Sequence, residues 1–329
     1  MEKALLLGYN HSEFLYFEKR GKGMLYGKID EAIGKTPLLE LANTEKEKGL
    51  SARVFAKLEF MNPTGSVKDR AAREIVDDAE RRGILKPGGV IVEATSGNTG
   101  IGLAAVAAAR GYKAVIIMPD TMSRERISLM KAYGAEVVLS DGKKGMAGSL
   151  MKLSEVKEKY PGCFEAGQFT NPANAAAHYK TTGPEIWEDL AGNVDIFIAG
   201  VGTGGTLTGT GRFLKEKKPG LRIVAVEPAA SPLLSKGIAG PHGLQGIGAN
   251  FVPEVLCRSV IDEIITITEE EAYEGAAYLG KTEGIMTGIT SGAAFAAALK
   301  KASEAGNMGK NIVAILPDSG DRYLSSGLF

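Results

Sequence analysis

The sequence predicts an α/β protein of doubly wound domains with mainly parallel sheets. After residue 50, short apolar runs alternate with amphipathic helical stretches, and this alternation is typical of right-handed βαβ units. The 329 residues are enough for one large or two medium domains, and an apolar content of 44% is enough for a sizeable core. Glycine accounts for 43 residues, well above the usual share of ~7%, and it follows no collagen period. We therefore expect the glycines to serve particular loops.

Strands are predicted where runs of four to six residues, several of them β-branched, are bounded by Gly, Pro or Asp. They span residues 53–58, 89–93, 114–118, 136–139, 196–199, 222–226 and 311–316. Amphipathic helices are predicted over residues 68–82, 124–133 and 269–281. Residues 164–184 show little apolar periodicity, which favours a crossing between two subdomains. Because ligands of such folds bind at the carboxyl ends of strands, the strand-to-helix turns are the places to search for function.

Charge and cysteine usage exclude several classes of protein. Lys plus Arg and Asp plus Glu each number 39, so no basic face for nucleic acid or an anionic membrane is expected, although a small anionic ligand remains compatible. Apolar stretches such as residues 103–109 are far shorter than the ~20 residues of a membrane span, and the N-terminus lacks a signal-peptide pattern. Cys163 and Cys257 fit neither a disulfide framework nor a metal site. We expect a soluble, cytoplasmic protein without a bound metal.

A glycine-rich turn over residues 199–211 is the clearest ligand-binding signal. It holds six glycines in the twelve residues from Gly200 to Gly211, and it joins a predicted strand to a helix. Such a loop lets backbone N–H groups approach a phosphate, which the helix N-terminus also attracts. Gly200, Gly202 and Gly205 also match the dinucleotide fingerprint, and Glu227 ends the next strand where a ribose-binding acid would stand. Taken alone, this region would favour an NAD-type oxidoreductase.

A lysine at the start of a helix argues against that interpretation. Lys68 follows a turn that Pro63, Gly65 and Ser66 are expected to fix. Positive helix-dipole ends and the nearby Arg70 would lower its pKa, which would help it act as an amine nucleophile.

Two further turns carry polar side chains at helix starts. Residues 93–102 offer the side chains of Thr95, Ser96, Asn98 and Thr99 beside free backbone N–H groups, a set that suits a substrate carboxylate. In residues 288–294, Thr290 and Ser291 are candidates to face a ring nitrogen or a carbonyl, and an ordinary N-cap role fits the same pattern.

Several long motifs occur in one order that resembles a known family. They are residues 63–70, 95–100, 168–174, 181–187, 202–206, 245–248 and 322–325. Together they resemble the cysteine synthases, or O-acetylserine sulfhydrylases, of the β-family (fold type II) of pyridoxal-phosphate enzymes, from about residue 29 to residue 329. This resemblance implies a tryptophan synthase β-like fold of two doubly wound domains with pyridoxal 5′-phosphate in the cleft between them.

The same resemblance implies domain limits. It makes residues 1–26 an N-terminal extension, 27–61 a crossover segment belonging with the large domain, 62–171 the small substrate-binding domain and 172–329 the large cofactor-phosphate domain. Because family members typically begin near Gly27, residues 1–23 are either a genuine arm or the result of a start site upstream of Met24.

The resemblance also implies a role for each matched residue. Lys68 would bond to the cofactor aldehyde and later act as the base at the substrate Cα, Asn98 would bind the ring hydroxyl, and Thr290 would face the pyridine nitrogen. Thr290 and Ser291 replace the family's usual pair of serines, so a hydroxyl is kept. The residues implied to hold the cofactor phosphate are Gly202, Thr203, Gly204, Gly205 and Thr206. Those implied to bind the substrate are Thr95, Ser96, Gly97, Thr99 and Gln168, with Gly246 lining the site.

The function implied is a β-replacement that forms L-cysteine and acetate from O-acetyl-L-serine and sulfide through an aminoacrylate. Cystathionine β-synthase and O-phosphoserine sulfhydrylase activities are the nearest alternatives, and an NAD-type oxidoreductase or a non-catalytic homologue is more distant. The family is usually homodimeric, and some members bind the C-terminal tail of serine acetyltransferase. The resemblance therefore implies a homodimer and binding of the serine acetyltransferase tail for this chain as well.

Overall fold

The computed structural model describes residues 25–95, 97–326 and 328, whose strands form two sheets. The larger sheet has six strands in the order β1-β2-β10-β7-β8-β9, and the smaller has four in the order β5-β4-β3-β6. The strands are Leu38–Glu40 (β1), Arg53–Leu58 (β2), Val90–Ala94 (β3), Lys113–Pro119 (β4), Glu136–Ser140 (β5), Phe164–Glu165 (β6), Ile196–Gly200 (β7), Arg222–Pro228 (β8), Glu263–Ile267 (β9) and Asn311–Leu316 (β10). Within the described residues, β1 and β2 pair antiparallel and every other strand pair is parallel.

Helices connect the parallel strands. The α-helices are Ala42–Lys48 (α1), Lys68–Arg81 (α2), Asn98–Arg110 (α3), Arg124–Ala132 (α4), Gly145–Lys159 (α5), Ala173–Lys180 (α6), Thr182–Asp189 (α7), Gly205–Lys217 (α8), Leu233–Lys236 (α9), Glu269–Glu283 (α10) and Ile289–Ala302 (α11). Short 3-10 helices cover Ile29–Ala32, Glu59–Met61, Gly142–Lys144, Arg258–Val260, Ala305–Asn307 and Gly320–Ser326. In the part of the chain that the structure describes, no helix has the length and apolar character of a membrane span.

Both sheets are buried on their two faces, as doubly wound sheets require. Along β7, Ile196 and Ile198 enter one apolar cluster while Phe197 enters the cluster on the opposite face. Along β4 of the smaller sheet, Ile116 and Val115 separate in the same way. Because successive side chains of a strand point to opposite faces, continuous apolar runs fill two cores at once. The predicted α/β class with mainly parallel sheets is confirmed.

All seven predicted strands are present, with limits that differ by at most two residues. Three strands were not predicted, namely β1, β6 and β9. The first two have three and two residues, which is too short for a recognisable pattern. The third lies at the edge of the large sheet, and four of its five residues are only half-buried.

Residues 164–184, where little apolar periodicity was found, nevertheless contain regular structure. This segment contains β6, the helix α6 and the start of α7. The first five residues of helix α6 are alanine or asparagine, and the helix packs so closely on α8 that a Cβ at Gly209 would lie 2.0 Å from the carbonyl oxygen of Ala175. Contacts this close need alanine and glycine, so the helix buries a face without the large apolar residues that mark a periodic pattern. The segment still leads from the smaller sheet to the larger one.

The distribution of strands bears on the domain limits. Strands β3 to β6 of the smaller sheet lie between residues 90 and 165, while β1 and β2 belong to the larger sheet. This arrangement supports the limits 27–61, 62–171 and 172–329, which stay a prediction. Residues 1–24 of the predicted extension lie outside the described residues.

Candidate active site

The turn that carries Lys68 is attached to the carboxyl end of the larger sheet. Gly65 adopts a φ of +82°, which allows the tight turn before α2. The N–H of Val67 donates to the carbonyl oxygen of Pro317, which follows β10, over 2.8 Å, and the N–H of Ser319 donates to that of Gly65 over 3.2 Å. Helix α2 therefore begins with Lys68 at the sheet edge where ligands of this fold class bind.

The electrostatic setting of Lys68 differs from the expected one. Burial lowers the pKa of its amine, and the negative charge of Asp318 opposes that shift. Arg70, to which we assigned part of the effect, is bound by two carboxylates: its Nε lies 2.7 Å from Glu59 Oε2, and its Nη1 lies 2.7 Å from Glu185 Oε1. Because these carboxylates offset its charge, burial is the main cause of the lowered pKa. The lowered pKa makes more of the neutral, nucleophilic amine available.

The glycine turn after β7 forms a concave loop that fits a phosphate group. Gly204 adopts a φ of +79°, and α8 begins at the next residue. A Cβ at Gly202 would lie 2.3 Å from the carbonyl oxygen of Gly246, and one at Gly205 would lie 2.1 Å from Asn174 Oδ1. The loop therefore requires glycine at both places, and the first N–H groups of α8 have no acceptor within the helix. Backbone donors at a helix N-terminus suit a phosphate dianion.

A cavity of about 50 Å³ brings together most of the residues predicted to hold the cofactor. Its walls include Lys68, Asn98, Gly202, Thr203, Gly204, Thr206 and Thr290, together with Gly246. Gly205 lies between two wall residues but is not on the wall itself. The cavity thus places an amine, an amide, a hydroxyl and the phosphate loop around one space.

Asp318 lies in the same cavity, although it was not predicted. Its side chain is 2% exposed, and its Oδ2 accepts hydrogen bonds from Asn98 Nδ2 over 2.9 Å and from the Tyr323 hydroxyl over 2.7 Å. Its Oδ1 has no hydrogen-bond partner among the described residues. The signal that could have identified it is its position two residues after the predicted strand 311–316, where a parallel strand ends.

Of the two neighbouring hydroxyls at the start of α11, Thr290 faces the cavity. Thr290 lines its wall, and a Cβ on Gly246 would lie 3.3 Å from Thr290 Cγ2. Ser291 is fully buried, and its Oγ is 3.5 Å from the carbonyl oxygen of Asp318. Of these two residues, Thr290 is therefore the one whose hydroxyl can contact a ligand in the cavity.

A larger cleft of about 460 Å³ adjoins the cavity, and Lys68, Asn98, Gly202, Thr203 and Gly246 line both spaces. The predicted substrate residues Thr95, Gly97, Thr99 and Gln168 lie on its walls, and Ser96 lies outside the described residues. The Thr99 hydroxyl donates to Gln168 Oε1 over 2.6 Å, so these two side chains hold each other in place.

The turn that presents Gln168 depends on a buried carboxyl group. Glu93, at the end of β3, accepts a hydrogen bond from the N–H of Gly167 over 2.7 Å. Burial raises the pKa of Glu93 to about 8, more than its backbone hydrogen bonds lower it. This group is therefore mainly protonated at neutral pH.

The cleft also contains a buried arginine that the sequence analysis missed. Arg126 is 5% exposed, and its Nη1 donates to Gln245 Oε1 over 3.0 Å. Its guanidinium carbon lies 5.3 Å from the centre of the Tyr323 ring, and its Nε is unpaired among the described residues. No local motif marks this residue, because it is one polar position of a predicted helix. It adds positive charge to the cleft.

The geometry disfavours the dinucleotide interpretation. The Glu227 carboxylate accepts hydrogen bonds from the N–H groups of Leu234 over 2.7 Å and Ser235 over 3.0 Å. The acid that would have bound a ribose therefore holds the first turn of α9. Among the described residues, no group of three His, Cys, Asp or Glu side chains could hold a metal ion.

Comparisons with known proteins agree with this geometry. The family described as "Pyridoxal-phosphate dependent enzyme" matches residues 29–318. A cysteine synthase of Staphylococcus aureus (strain Mu50 / ATCC 700699) is 52% identical over 302 residues, covering 92% of this chain and 96% of that protein. The crystal structure of cysteine synthase from Entamoeba histolytica superposes with a TM-score of 0.91 at 47% identity, covering 94% of this chain and 92% of that chain.

A third relative differs in its named activity. The O-acetylserine dependent cystathionine beta-synthase from Helicobacter pylori superposes with a TM-score of 0.86 at 39% identity, covering 93% of this chain and 100% of that chain. The family match extends over most of the chain, and the glycine loop, Lys68 and the adjoining cleft lie together in the structure. This chain therefore belongs to the pyridoxal-phosphate-dependent enzymes and, among them, to the cysteine synthase group.

Proposed function

We propose that this enzyme replaces the acetate of O-acetyl-L-serine with sulfide to form L-cysteine. The observation that carries the proposal is the position of Lys68, whose side chain lines both the small cavity and the larger cleft. An amine in this position can reach a cofactor in the cavity and an amino acid in the cleft. The similarity to cysteine synthases supports the same substrates.

The residues around the cavity fit the parts of pyridoxal 5′-phosphate. Residues 202–206 would hold its phosphate, Asn98 its ring hydroxyl, Thr290 its ring nitrogen and Lys68 its aldehyde. The Asn98 Nδ2 has a second hydrogen available for this bond, because only one is used on Asp318. When bound, the cofactor supplies an electrophilic carbonyl and a conjugated ring that withdraws electrons from the substrate Cα.

Lys68 would move the proton that the replacement requires. Its amine removes the proton from the substrate Cα, the C–O bond to acetate breaks at Cβ and a C–S bond to sulfide forms. The proton held at Lys68 Nζ then returns to Cα. Asp318 stabilises the protonated amine, because its charge opposes the effect of burial on the pKa of Lys68. A positioned base of this kind contributes ~10²–10⁴-fold in rate.

The opposite wall of the cleft would bind the carboxylate of the amino acid. Thr95, Gly97 and Thr99 surround the start of α3, and Gln168 faces Thr99. Hydroxyls, an amide and a helix N-terminus together suit a carboxylate. Ser96 completes this proposed set on its sequence position alone. Closure of the smaller sheet's helices over a bound amino acid would exclude water.

Steady-state kinetics with defined substrate pairs test the proposal. O-acetylserine, O-phosphoserine and serine serve as donors, each with sulfide or homocysteine, and the amino-acid product is quantified. We expect the highest kcat/KM for O-acetylserine with sulfide. Cysteine formation that is undetectable with every donor would contradict the proposal.

Homocysteine as the acceptor is the second candidate. The 460 Å³ cleft is larger than sulfide requires, and the positive charge of Arg126 on its wall would attract the carboxylate of a second amino acid. The named activity of the Helicobacter pylori relative supports the same choice. A higher kcat/KM for homocysteine than for sulfide would establish this candidate in place of the first.

We also propose a homodimer and a peptide partner. Leu25, Ile29 and Met61 expose more than half of their surface, which supports an interface between two copies. The proposed carboxylate site supports binding of the C-terminal tail of serine acetyltransferase. Light scattering measures the oligomeric state, and competition between a tail peptide and O-acetylserine measures the second interaction.

A cytoplasmic location is a further proposal. It is supported by Cys163 and Cys257, which are unpaired thiols. Fractionation of cells followed by an immunoblot would test it.

A further inference from the structure

A buried histidine connects the phosphate loop to the helix behind it. His178, in α6, is 1% exposed, with Nδ1 lying 2.8 Å from Thr182 Oγ1 and Nε2 lying 3.2 Å from Thr206 Oγ1. Thr182 is fully buried, whereas Thr206 lines the small cavity. The three side chains form a chain of hydrogen bonds that ends at the place proposed for the cofactor phosphate.

The imidazole in this chain is neutral. Burial lowers the pKa of His178 to about 3, and the charges of Arg70 and Lys68 act in the same direction. Glu59 and Glu185 oppose the shift without reversing it. A neutral imidazole has one donor nitrogen and one acceptor nitrogen, so the two threonines must take different roles.

The hydroxyl of Thr182 determines which nitrogen carries the proton. Within the described residues, this hydroxyl has His178 Nδ1 as its one hydrogen-bond partner. If Nδ1 were the donor, the proton of the Thr182 hydroxyl would be buried without an acceptor, which is costly. The favoured arrangement therefore has Thr182 donating to Nδ1 and His178 Nε2–H donating to Thr206 Oγ1.

This arrangement decides where the hydroxyl of Thr206 points. Because its oxygen accepts from His178, its proton is free to be donated elsewhere, and Thr206 faces the cavity. In the other tautomer, the same hydroxyl would donate to His178 and present a lone pair to the phosphate instead. A lone pair facing an anion is repulsive.

We propose that His178 is a positioning residue that directs the Thr206 hydroxyl proton toward the cofactor phosphate. The inference rests on the proposed placement of that phosphate at residues 202–206. It adds His178 and Thr182 to the groups that determine cofactor affinity, although neither lines the cavity.

Comparison of two ligands isolates the phosphate contribution. The dissociation constants of pyridoxal 5′-phosphate and of pyridoxal, which lacks the phosphate, are measured by equilibrium dialysis of the enzyme. For His178→Leu, we expect the constant for pyridoxal 5′-phosphate to rise about tenfold or more, as for loss of a hydrogen bond to a charged group, and that for pyridoxal to stay unchanged. His178→Gln should restore most of the affinity, since its amide N–H can take the place of Nε2–H.

Two further variants connect the effect to Thr206. Thr206→Val should weaken binding of pyridoxal 5′-phosphate by a similar factor, and adding His178→Leu to it should cause no further loss. Thr208→Val is the matched control: Thr208 lies on the same helix, its Oγ1 accepts from the N–H of Cys257, and it lies outside the cavity. It should leave both constants within about twofold.

The proposal is overturned if folded His178→Leu binds pyridoxal 5′-phosphate like the wild type. Equal weakening of both ligands, or additive losses in the double variant, would also overturn it, since either result indicates a general structural role. If His178→Leu does not fold, Thr182→Val decides, because it frees His178 to adopt the other tautomer and should weaken only pyridoxal 5′-phosphate. Absence of cysteine formation alongside the expected affinities would contradict the proposed function and leave this inference standing.

Discussion

The two ends of the site differ in the atoms that form them, which are mainly backbone at one end and side chains at the other. The proposed cofactor end comprises residues 200–206, with Asn174 and His178 behind them, and it consists mainly of closely packed backbone. Asn174 touches the loop at Gly205, and its Nδ2 donates to Thr203 Oγ1 over 2.9 Å. The proposed substrate end, which comprises Thr95, Thr99, Arg126 and Gln168, consists of side chains around a cleft of about 460 Å³.

Because of this difference, we expect substitutions at one end to affect cofactor binding and substitutions at the other end to affect recognition of the amino acid. Backbone packed at van der Waals distance cannot change without displacing its neighbours, so the cofactor end should be sensitive to the smallest added group. The substrate end holds its side chains through single hydrogen bonds such as that between Thr99 and Gln168. Changes there should alter KM or kcat while leaving the cofactor bound.

Lys68 lines both the small cavity and the larger cleft, so replacing it should have the largest effect on activity. We expect Lys68→Ala to lower kcat/KM at least ~10⁴-fold, because nucleophile and base disappear together. The cofactor end should still retain the phosphate, so pyridoxal 5′-phosphate should remain bound but no longer be fixed by borohydride. Lys236→Ala, at an exposed lysine, is the control and should behave like the wild type. Full turnover by Lys68→Ala would refute the proposed role of Lys68.

Gly202→Ala tests the rigidity of the cofactor end. A Cβ there would lie 2.3 Å from the carbonyl oxygen of Gly246, so we expect lost cofactor and a free energy of unfolding lowered by about 1–3 kcal/mol. Cofactor content is measured by absorbance and stability by denaturant titration. Gly220→Ala is the matched control, since nothing lies within 4 Å of its added Cβ. Equal behaviour of the two variants would show that the loop adapts.

Thr99→Val tests the substrate end in isolation. It removes the donor to Gln168 Oε1 and leaves a buried acceptor without its partner. We expect KM for the donor amino acid to rise about tenfold, with cofactor content unchanged. Thr170→Val, at an exposed threonine in the same turn as Gln168, should leave KM unaltered. A loss of cofactor in Thr99→Val would mean that the two ends are not separable.

Glu93→Gln should have the smallest effect on activity, and what it should change is the pH dependence of stability. Because the pKa of Glu93 is raised from 4.5 to about 8, the folded chain keeps a proton that the unfolded chain loses between these values. Stability should therefore fall as pH rises through this interval, by at most about 1.4 kcal/mol per pH unit from this group. Glutamine keeps the acceptor for Gly167 and does not titrate, so the variant should flatten this slope. An unchanged slope in denaturant titrations between pH 5 and pH 8 would contradict the shifted pKa.

Much of the architecture was predictable because it depends on local pattern. Strands such as β2 and β10 are short apolar runs between breaking residues, and their limits were predicted to the residue. The glycine turn after β7 and the lysine at the start of α2 also lie in contexts that the sequence displays. Helix α6 was missed because its small residues carry no apolar stripe.

Other parts of the site depend on contacts between distant segments. Asn98 and Asp318 are 220 positions apart, yet their side chains are joined by a hydrogen bond. No motif joins His178 to Thr206 or Arg126 to Gln245, because each pair meets only after the strands have paired. Side-chain pairs of this kind have no period and no fixed spacing in the sequence.

The sequence by itself determined the parallel α/β class, the glycine turn after β7 and the position of Lys68 at the start of a helix. Each is encoded within a few neighbouring residues whose backbone preferences and polarity act locally. Tertiary structure decided that burial, rather than Arg70, lowers the pKa of Lys68, that Thr290 rather than Ser291 faces the cavity, and that Asp318 lies beside them. Burial, orientation and electrostatic field are properties of the assembled fold, because they depend on which distant groups exclude water from each side chain.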